Sequence, residues 1–425
     1  MSSKTRVLIL GGGIGGMDVA IELHHTPDVQ VTLVDRNPVH VWKPALHEFA
    51  AGTLPTQGNL FPFTKLGKRF GFTFVQGAPA AIDRQARTVT LENGEVLPYD
   101  KLVVALGARA NDFGTPGAQE NCFFLDNINE AHALNETLRR DLNRARETGQ
   151  RLEAVIIGGG ATGVQLAAEL CEAIDRAPGF GRQERQKLLK LTLIEAAPRV
   201  LGPFPESVSA GVQNQLRKIG VDVITSGMVS AIKDNGIELK DGRFIPASLR
   251  IWAAGVKAAQ ATSLFEGLEM NRGGQLVVTP TLQTTRDADI FAVGDCSFIA
   301  AHPVPPTAQV ARQEGIYVGK TAIPDVIAGR EPPPFVYHDR GAVVTLAHYN
   351  AWGMLPNREG GNRPFGGHGL GTYVAEVLHE GLYRRHQVGL SGFPTALKAG
   401  LCHFFHPPRP DLKAPQPGKA ASQLH

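Results

Sequence analysis

Two stretches of the sequence share one pattern, in which a short, continuous apolar run ends in a cluster of glycines. Residues 7–10 (VLIL) precede a cluster at 11–16, and residues 154–157 (AVII) precede a cluster at 158–163. A short apolar run bounded by glycines is typical of a strand buried on both faces of a parallel sheet. Because a helical pattern follows, as over residues 164–174 in the second case, the sequence predicts two strand–turn–helix units.

Both glycine clusters fit the spacing G-x-G-x-x-G. In this motif the first glycine permits a tight turn, the second lets backbone N–H groups approach a pyrophosphate, and the third lets the helix pack on the strand. One such turn could be a plain connection, but two in one chain predict two bound dinucleotides. The glycines at these positions are Gly11, Gly13 and Gly16 in the first cluster and Gly158, Gly160 and Gly163 in the second.

An acidic residue ends the second strand expected in each unit. Residues 31–34 lead into Asp35, and residues 191–194 lead into Glu195 after a polar insertion at 176–187. A carboxylate at this place can accept a hydrogen bond from a ribose hydroxyl. Because a glutamate suits the free 2′-hydroxyl of NAD and repels the 2′-phosphate of NADP, Glu195 predicts NADH as the donor.

The second half of the chain repeats the plan of the first. Short strands and a buried run over residues 102–108 follow the first unit, and similar strands and a run over 249–255 follow the second. A further buried run ends in Gly294 and Asp295, where the aspartate could also simply cap a helix. The repeat is too long for a solenoid, so we predict the α/β class with two Rossmann-like dinucleotide-binding domains.

Composition excludes several other classes of protein. The 425 residues suit two or three domains, and 43 basic against 40 acidic side chains argue against a nucleic-acid surface. The four cysteines, at 122, 171, 296 and 402, form no C-x-x-C pair, which argues against a redox disulfide, an iron–sulfur cluster and structural zinc. Because the histidines also lack a convincing ligand spacing, we expect no metal.

Membrane contact is expected only at the C-terminus, because we see no secretory leader and no apolar run of 18 residues. Residues 336–353 predict two strands, and residues 372–388 and 394–406 predict two helices. From residue 381 to 410 there is no acid, and aromatic and leucine side chains alternate with Arg384, Arg385, Lys398 and Arg409, a pattern that favours binding to a membrane surface. The alternative is a helix that docks on the protein's own core or at a homodimer interface. The tail after Asp411 is expected to be disordered.

The order of the two glycine turns and the YDKLVVALGA, IWAAG and AVGD runs resembles that of flavoproteins with two dinucleotide-binding domains. Four stretches, VWKPALHEFAAGT, IIGGGATGVQLAAEL, AQVARQEG and LYRRHQVGLSGF, are similar to the bacterial type II NADH dehydrogenases, which are single-chain NADH:quinone oxidoreductases. The resemblance implies an FAD domain over 1–115 and 281–335, an inserted NAD domain over 116–280, and a C-terminal membrane-associating α+β region over 336–425. Gln165 and the glycine-rich stretch 357–371 depart from the family pattern.

The resemblance also implies roles for individual residues. Asp295 would lie beside the ribityl and phosphate groups of FAD, and Glu169 would contact the nicotinamide carboxamide. Gln309 and Gln313, spaced i and i+4 on an expected helix, would line a quinone tunnel, where neutral amides can hydrogen-bond a quinone carbonyl. Solvated helix side chains are the alternative for all three candidate catalytic residues.

The remaining candidates are cofactor contacts on the same turns and runs. They are Gly11, Gly13, Ile14, Gly15, Gly16, Asp35, Arg36, Lys43, Ala105, Gly107, Gly158, Gly160, Thr162, Gly163, Glu195, Ala254, Gly255, Gly294, Asp295, Ala308 and Gln309.

The function implied is transfer of a hydride from NADH to FAD and of two electrons onward to a membrane quinone, without proton pumping. The enzyme would be peripheral, on the cytoplasmic side of the inner membrane. One alternative keeps the fold and changes the acceptor, to a ferredoxin or rubredoxin or to the chemistry of a sulfide:quinone reductase. The scattered cysteines do not suggest the reactive set that sulfide chemistry needs. The other alternative is a non-catalytic flavoprotein that senses nucleotides.

Overall fold

The computed structural model describes residues 4–258, 262–357, 361–397, 400 and 409–413. Its strands, in chain order, are β1 Thr5–Leu10, β2 Val29–Asp35, β3 Val39–Val41, β4 Leu60–Pro62, β5 Thr73–Gln76, β6 Pro79–Asp83, β7 Thr88–Leu91, β8 Val96–Pro98, β9 Lys101–Val104, β10 Ala108–Ala110, β11 Leu152–Ile157, β12 Leu189–Ile194, β13 Val221–Ile224, β14 Val229–Lys233, β15 Gly236–Leu239, β16 Phe244–Pro246, β17 Leu249–Trp252, β18 Val256–Ala258, β19 Leu276–Val278, β20 Gln283–Thr284, β21 Asp287–Ala292, β22 Ser297–Ile299, β23 Ala342–Leu346, β24 Asn350–Pro356 and β25 Asn362–Gly366.

The helices lie between these strands. They are α1 Ile14–Leu23, α2 Leu46–Ala51, α3 Phe63–Phe70, α4 Ala118–Asn121, α5 Ile128–Thr148, α6 Ala161–Arg176, α7 Arg182–Leu188, α8 Glu206–Lys218, α9 Ala308–Tyr317, α10 Ile323–Ile327 and α11 Gly369–Ser391, with short 3-10 turns at Lys43–Ala45, Thr262–Phe265 and Gly294–Cys296 and one π turn at Val318–Ala322.

The chain divides into two compact units. The first contains residues 1–43, 59–109 and 256–338, and the second contains 44–58, 110–255 and 339–425. These units are defined by packing, whereas the division predicted from the sequence is by cofactor. The FAD and NAD domain boundaries given above therefore stay a prediction.

The first unit is built on an eight-stranded sheet in the order β22-β19-β20-β21-β9-β1-β2-β5. Strand β1 pairs in parallel with β2 on one side and β9 on the other, so the direction of winding reverses beside it. In such sheets ligands bind outside the carboxyl ends of the strands at this reversal. Helices α1 and α9 pack against each other, and the four apolar residues at the end of β1 are buried, as their continuous pattern predicts.

The second unit repeats the plan with a four-stranded parallel sheet in the order β13-β12-β11-β17. Strand β11 again lies between the second strand and a later one, which places a second winding reversal beside it. Helix α5 begins where the Asn127 side chain accepts from the Glu130 N–H, and Glu130 accepts from the Asp126 N–H. These reciprocal bonds cap the first turn, and the helix ends at Gly149 in the left-handed region.

The C-terminal region confirms two predicted strands and corrects the predicted helices. A three-stranded antiparallel sheet, β23-β24-β25, contains the expected pair, and its third strand lies in the glycine-rich stretch that the sequence did not place. Gly366 and Gly367, with φ of 91° and 82°, turn the chain from β25 toward α11. Helix α11 runs without a break to Ser391, and most of the second predicted helix, 394–406, lies outside the described residues. Among the helices that the structure describes, none is both long and apolar enough to cross a bilayer.

Candidate functional site

The first glycine turn connects β1 to α1 in the form that a dinucleotide turn requires. Gly11 has φ of 101°, and a Cβ at Gly11 would overlap the Ala105 carbonyl. A Cβ at Gly16 would overlap the Gly11 carbonyl. At Gly13, by contrast, a Cβ would meet nothing within 4 Å in the described part of the chain, and no described side chain caps α1. The first N–H groups of a helix have no partner within the helix, and the open space beside Gly13 would let a pyrophosphate approach those of α1.

The second turn, between β11 and α6, has the same geometry. Gly158 has φ of 114°, and a Cβ at Gly163 would overlap the Gly158 carbonyl. Gly160 again has no described atom within 4 Å of an added Cβ, and again no side chain of the described residues caps the helix. Side chains do cap α5 and α9, at Asn127 and Thr307. Other described helices, such as α3 and α8, also begin without a side-chain cap. The open space beside Gly13 and Gly160 is therefore the feature that supports a fit to two dinucleotides.

Both acidic residues are held by their own turns. The Asp35 carboxylate accepts from the Gly12 N–H and the Asn37 N–H, each at 2.8 Å. The Glu195 carboxylate accepts from the Gly159 N–H at 2.6 Å and the Ala197 N–H at 2.7 Å. In each case one of these N–H groups lies in the glycine turn, and the other belongs to the residue two positions after the acid. Since a carboxylate has about four acceptor positions, each can still accept from a ribose.

Two further cofactor candidates lie at the carboxyl edge of the first sheet. Lys43 donates from Nζ to the Ala108 carbonyl at 2.6 Å. Burial raises the pKa of Asp295, and the positive charge of Lys43 opposes that rise. Gly107 and Gly294 both have left-handed φ, of 69° and 73°, at the ends of their buried runs. These contacts order the backbone and side chains that the family resemblance assigns to FAD.

A shallow cavity of about 490 Å³ lies at the end of the same sheet, beside Asp35. It is lined by Arg36, Gln76, Gly77, Ala78, Glu92 and Asn93. Among these residues only Arg36 was predicted from the sequence. Gln76 ends β5, and the remaining residues follow β5 or β7. Only the pairing of β5 with β2 brings residues 76–78 close to Asp35.

Glu169 is buried and is not a solvated helix side chain. It is 7% exposed, and the Thr53 hydroxyl donates to its Oε2 at 2.5 Å. Burial raises the pKa of Glu169 to about 7, and the nearby Glu172 adds to the rise. The carboxyl can therefore be protonated or ionised near neutral pH, and it can donate or accept a hydrogen bond accordingly.

Glu169 belongs to a group of titratable side chains within the second unit. Glu48, on α2, has its pKa raised by burial and by the nearby carboxylates of Glu169 and Glu380, while Arg384 opposes the rise. Burial lowers the pKa of His47 to about 3, so this imidazole stays neutral. The sequence did not indicate these neighbours, because α2 and α11 are far apart in the chain and meet only through tertiary packing.

Gln309 and Gln313 both lie on α9, as predicted, but their surroundings differ. The Gln313 amide donates to the His338 carbonyl at 2.9 Å and accepts from the His338 N–H at 3.0 Å. This pair of bonds anchors the segment before β23 to the helix. Gln309 is half-buried near the start of the same helix. The structure thus gives Gln313 an anchoring role that the sequence did not reveal.

The cysteines are poorly suited to redox chemistry. Burial raises the pKa of Cys122, Cys171 and Cys296 to about 12, which keeps these thiols protonated. Cys402 lies outside the described residues. Within the described ranges, no group of three or more histidine, cysteine or acidic side chains has the geometry to hold a metal ion.

Comparison with known proteins agrees with this geometry. The pyridine nucleotide-disulphide oxidoreductase family matches residues 5–315. A type II NADH:quinone oxidoreductase of Haemophilus influenzae is 39% identical over 93% of this chain and 95% of its own length. The type II NADH:quinone oxidoreductase NdhA of Mycobacterium tuberculosis is 31% identical over 83% of this chain and 79% of its own. The solved structure of NDH2 from Plasmodium falciparum in complex with NADH shares the fold, with a TM-score of 0.82, 17% identity, and coverage of 95% of this chain and 99% of that one.

The fold and its two dinucleotide turns define a pyridine nucleotide-disulphide oxidoreductase. Within that class, the identities over nearly the whole chain are to one kind of enzyme. The chain belongs to the type II NADH:quinone oxidoreductase family. The predicted family, fold class and enzyme class, an NADH dehydrogenase that uses FAD, are therefore confirmed.

Proposed function

We propose that this protein oxidises NADH and passes two electrons through FAD to a membrane quinone, without pumping protons. Its family membership supports the reaction, and the two matching dinucleotide turns are the observation that carries it. When bound, FAD would accept the hydride and transfer the electrons. The protein therefore has to bind FAD and NADH, orient them toward each other and protect the flavin from competing reactions. We assign FAD to Gly11, Gly13, Gly16, Asp35 and Asp295.

The donor site is proposed on the second turn. Backbone N–H groups at Gly160 and the start of α6 would bind the NADH pyrophosphate, and Glu195 would accept from the adenosine ribose. Glu169 follows on the same helix, and its carboxyl would hydrogen-bond the nicotinamide carboxamide while Thr53 fixes its orientation. A carboxyl with a pKa near 7 can serve as donor or acceptor in that bond.

A spectrum recorded before and after each substrate tests the whole proposal. NADH should bleach the flavin absorbance of the purified protein within the turnover time, and a water-soluble quinone should restore it. Reoxidation by ferredoxin or rubredoxin but not by quinone would favour the alternative acceptor. A flavin that NADH does not reduce would leave only the nucleotide-sensing alternative.

The acceptor contact is assigned to Gln309. Gln309→Leu should slow flavin reoxidation by quinone about two- to tenfold, because one neutral hydrogen bond is worth roughly 0.5–1.5 kcal/mol, and should leave reduction by NADH unchanged. Gln313→Leu should instead lower the free energy of unfolding by about 1–3 kcal/mol, since it removes both bonds to His338. Stopped-flow traces of the two half-reactions and thermal melts separate these effects. Equal slowing of both half-reactions in Gln309→Leu would contradict its assignment.

The membrane contact is assigned to one face of α11. Leu370, Val374 and Val377 are 77%, 41% and 50% exposed, whereas Tyr383 and Leu390 on the opposite face are buried. Spacings of four and three residues along the helix bring the exposed side chains to one face. This face would lie on the lipid surface, with Arg385 toward anionic headgroups. We therefore propose a peripheral enzyme on the cytoplasmic side of the membrane, where NADH is available.

A triple variant, Leu370→Gln, Val374→Gln and Val377→Gln, should weaken binding to anionic liposomes at least about tenfold, because each buried apolar side chain contributes roughly 1.5–3 kcal/mol. The matched control replaces Val96, Phe244 and Val336 with glutamine, since these are exposed apolar residues elsewhere. Flotation assays at low and high salt measure the difference. If the triple variant still floats but loses a dimer in solution, the face is a homodimer interface.

A further inference from the structure

Glu314 is a buried acid that the proposed chemistry does not use. It lies on α9, one residue beyond Gln313, and is 0% exposed. Its Oε2 accepts from the Gly294 N–H at 2.5 Å and lies 3.2 Å from the Ser297 hydroxyl, whose single proton is shared between Glu314 and the Gly294 carbonyl at 2.9 Å. Among the described residues its Oε1 has no hydrogen-bond partner, although that atom is fully buried. A buried acid with one orphaned oxygen costs stability, so its retention needs a reason.

The bonds of Glu314 end on the 3-10 turn Gly294–Cys296, which carries Asp295. Gly294 has φ of 73°, a left-handed conformation, and a Cβ there would lie 3.2 Å from the Ala311 side chain of α9. Hence the turn lies close to α9, and it is a side chain of α9 that bonds its first N–H. The left-handed start of the turn leaves that N–H directed at Glu314.

A second side chain holds the other side of the turn. The Gln275 amide donates to the Asp295 carbonyl at 3.0 Å and to the Ser297 carbonyl at 3.1 Å. Glu314 therefore accepts from the turn's N–H and hydroxyl, and Gln275 donates to its carbonyls. Two residues outside the turn thus fix the backbone on both sides of Asp295.

We propose that Glu314 is a positioning residue for FAD, whose carboxyl fixes the Gly294–Cys296 turn and thereby sets Asp295 where it meets the polyhydroxyl and phosphate region of the dinucleotide. The inference rests on the proposed assignment of Asp295 to FAD. Glu314 acts through the turn and not by touching the cofactor.

The charge state of Glu314 agrees with this role. Burial raises the pKa of Glu314 to about 8, and the nearby Asp295 carboxylate adds to the rise. A neutral carboxyl still accepts the two hydrogen bonds, and it adds no negative charge near a phosphate-bearing ligand. Glutamine, which is neutral and has the same shape, should therefore replace it.

The test compares Glu314→Gln with Glu314→Leu. The glutamine variant should bind FAD within about threefold of the wild type, because its amide oxygen still accepts from Gly294 and Ser297. The leucine variant should release FAD at least tenfold more readily, measured as free flavin fluorescence after dilution and ultrafiltration. Its bound flavin should also show an altered visible circular dichroism spectrum, which a general loss of stability would not produce.

Gln165→Leu provides the matched control. Gln165 is also buried, and its amide bonds the Thr345 hydroxyl at 3.3 Å in the second unit. Its loss should lower stability and leave FAD affinity unchanged.

If Glu314→Leu does not fold, Gln275→Leu tests the same turn from the other side, with the same expected release of FAD. Wild-type affinity in a folded Glu314→Leu would overturn the inference, and so would wild-type affinity in a folded Gln275→Leu. Equal loss of FAD in the glutamine and leucine variants would also overturn it, since charge and not hydrogen bonding would then be required. A wild-type protein that binds no FAD would instead overturn the proposed function.

Discussion

Gly13→Ala is expected to give a folded protein that has lost most of its FAD, whereas Gly160→Ala is expected to keep FAD and bind NADH poorly. Both glycines have backbone angles that alanine adopts readily, with φ of −67° and −72° in extended conformation. An added methyl group meets no described atom within 4 Å at either position. It would therefore clash only with the ligand that approaches the N–H groups of the turn.

The expected effect is large because bonds from backbone N–H groups to a charged phosphate are worth roughly 1.5–3 kcal/mol each, so the loss of one lowers affinity by about ten- to a hundredfold. Flavin content after gel filtration measures the first variant, and the KM for NADH measures the second. Each variant is the control for the other, and circular dichroism should show both folded. If Gly160→Ala loses FAD and Gly13→Ala keeps it, the two cofactors are assigned to the wrong turns.

The glycine turns could be predicted from the sequence because each motif is complete within one short stretch, residues 11–16 and residues 158–163. Gly11 must leave room for the Ala105 carbonyl, and Gly16 must leave room for the Gly11 carbonyl, so both positions are fixed as glycine by steric contact. Asp35 and Glu195 were predicted for a similar reason, since each ends a strand whose length is set by pairing with the first. Ala105 is distant from Gly11 in the chain, but the glycine motif predicts the close contact without identifying that neighbour.

The surroundings of Glu169 could not be predicted in that way. Thr53, which bonds it, is 116 residues away, and it follows a short helix whose sequence gives no sign that it packs against α5 and α6. The same is true of Gln313 and His338, where the partner is a backbone group in an irregular segment. Such pairs form only through tertiary packing. The pattern of apolar and polar residues does not indicate which distant segments of the chain meet.

In helix α11 the cost of a glycine within the helix was outweighed by the burial of neighbouring side chains. The sequence predicted a break near Gly389, but the helix continues to Ser391. A glycine inside a helix costs only about 1 kcal/mol, whereas burial of a large side chain such as Leu390 contributes roughly 1.5–3 kcal/mol. The helix therefore continues until the second glycine, Gly392, which lies in a left-handed region with φ of 85°.

Glu195 is expected to give a preference for NADH over NADPH of roughly a hundredfold in kcat/KM. Its carboxylate is held by the Gly159 and Ala197 N–H groups, so at the ribose position proposed for it the side chain would not turn away from a 2′-phosphate. Like charge and the lost ribose hydrogen bond together would penalise NADPH by a few kcal/mol, and each 1.4 kcal/mol is a factor of ten. Steady-state rates with both nucleotides measure this ratio.

Two variants separate the contributions to that ratio. Glu195→Gln removes the charge and keeps one acceptor for the turn, so it should lower the preference to about tenfold or less, mostly by improving NADPH. Glu195→Ala should abolish the preference and also weaken NADH, because the Gly159 N–H loses its partner. Asp35→Asn, at the matching position of the first turn, should weaken FAD and leave the nucleotide ratio unchanged. An unchanged ratio in both Glu195 variants would show that another part of the second unit selects the donor, and would remove Glu195 from the NADH site.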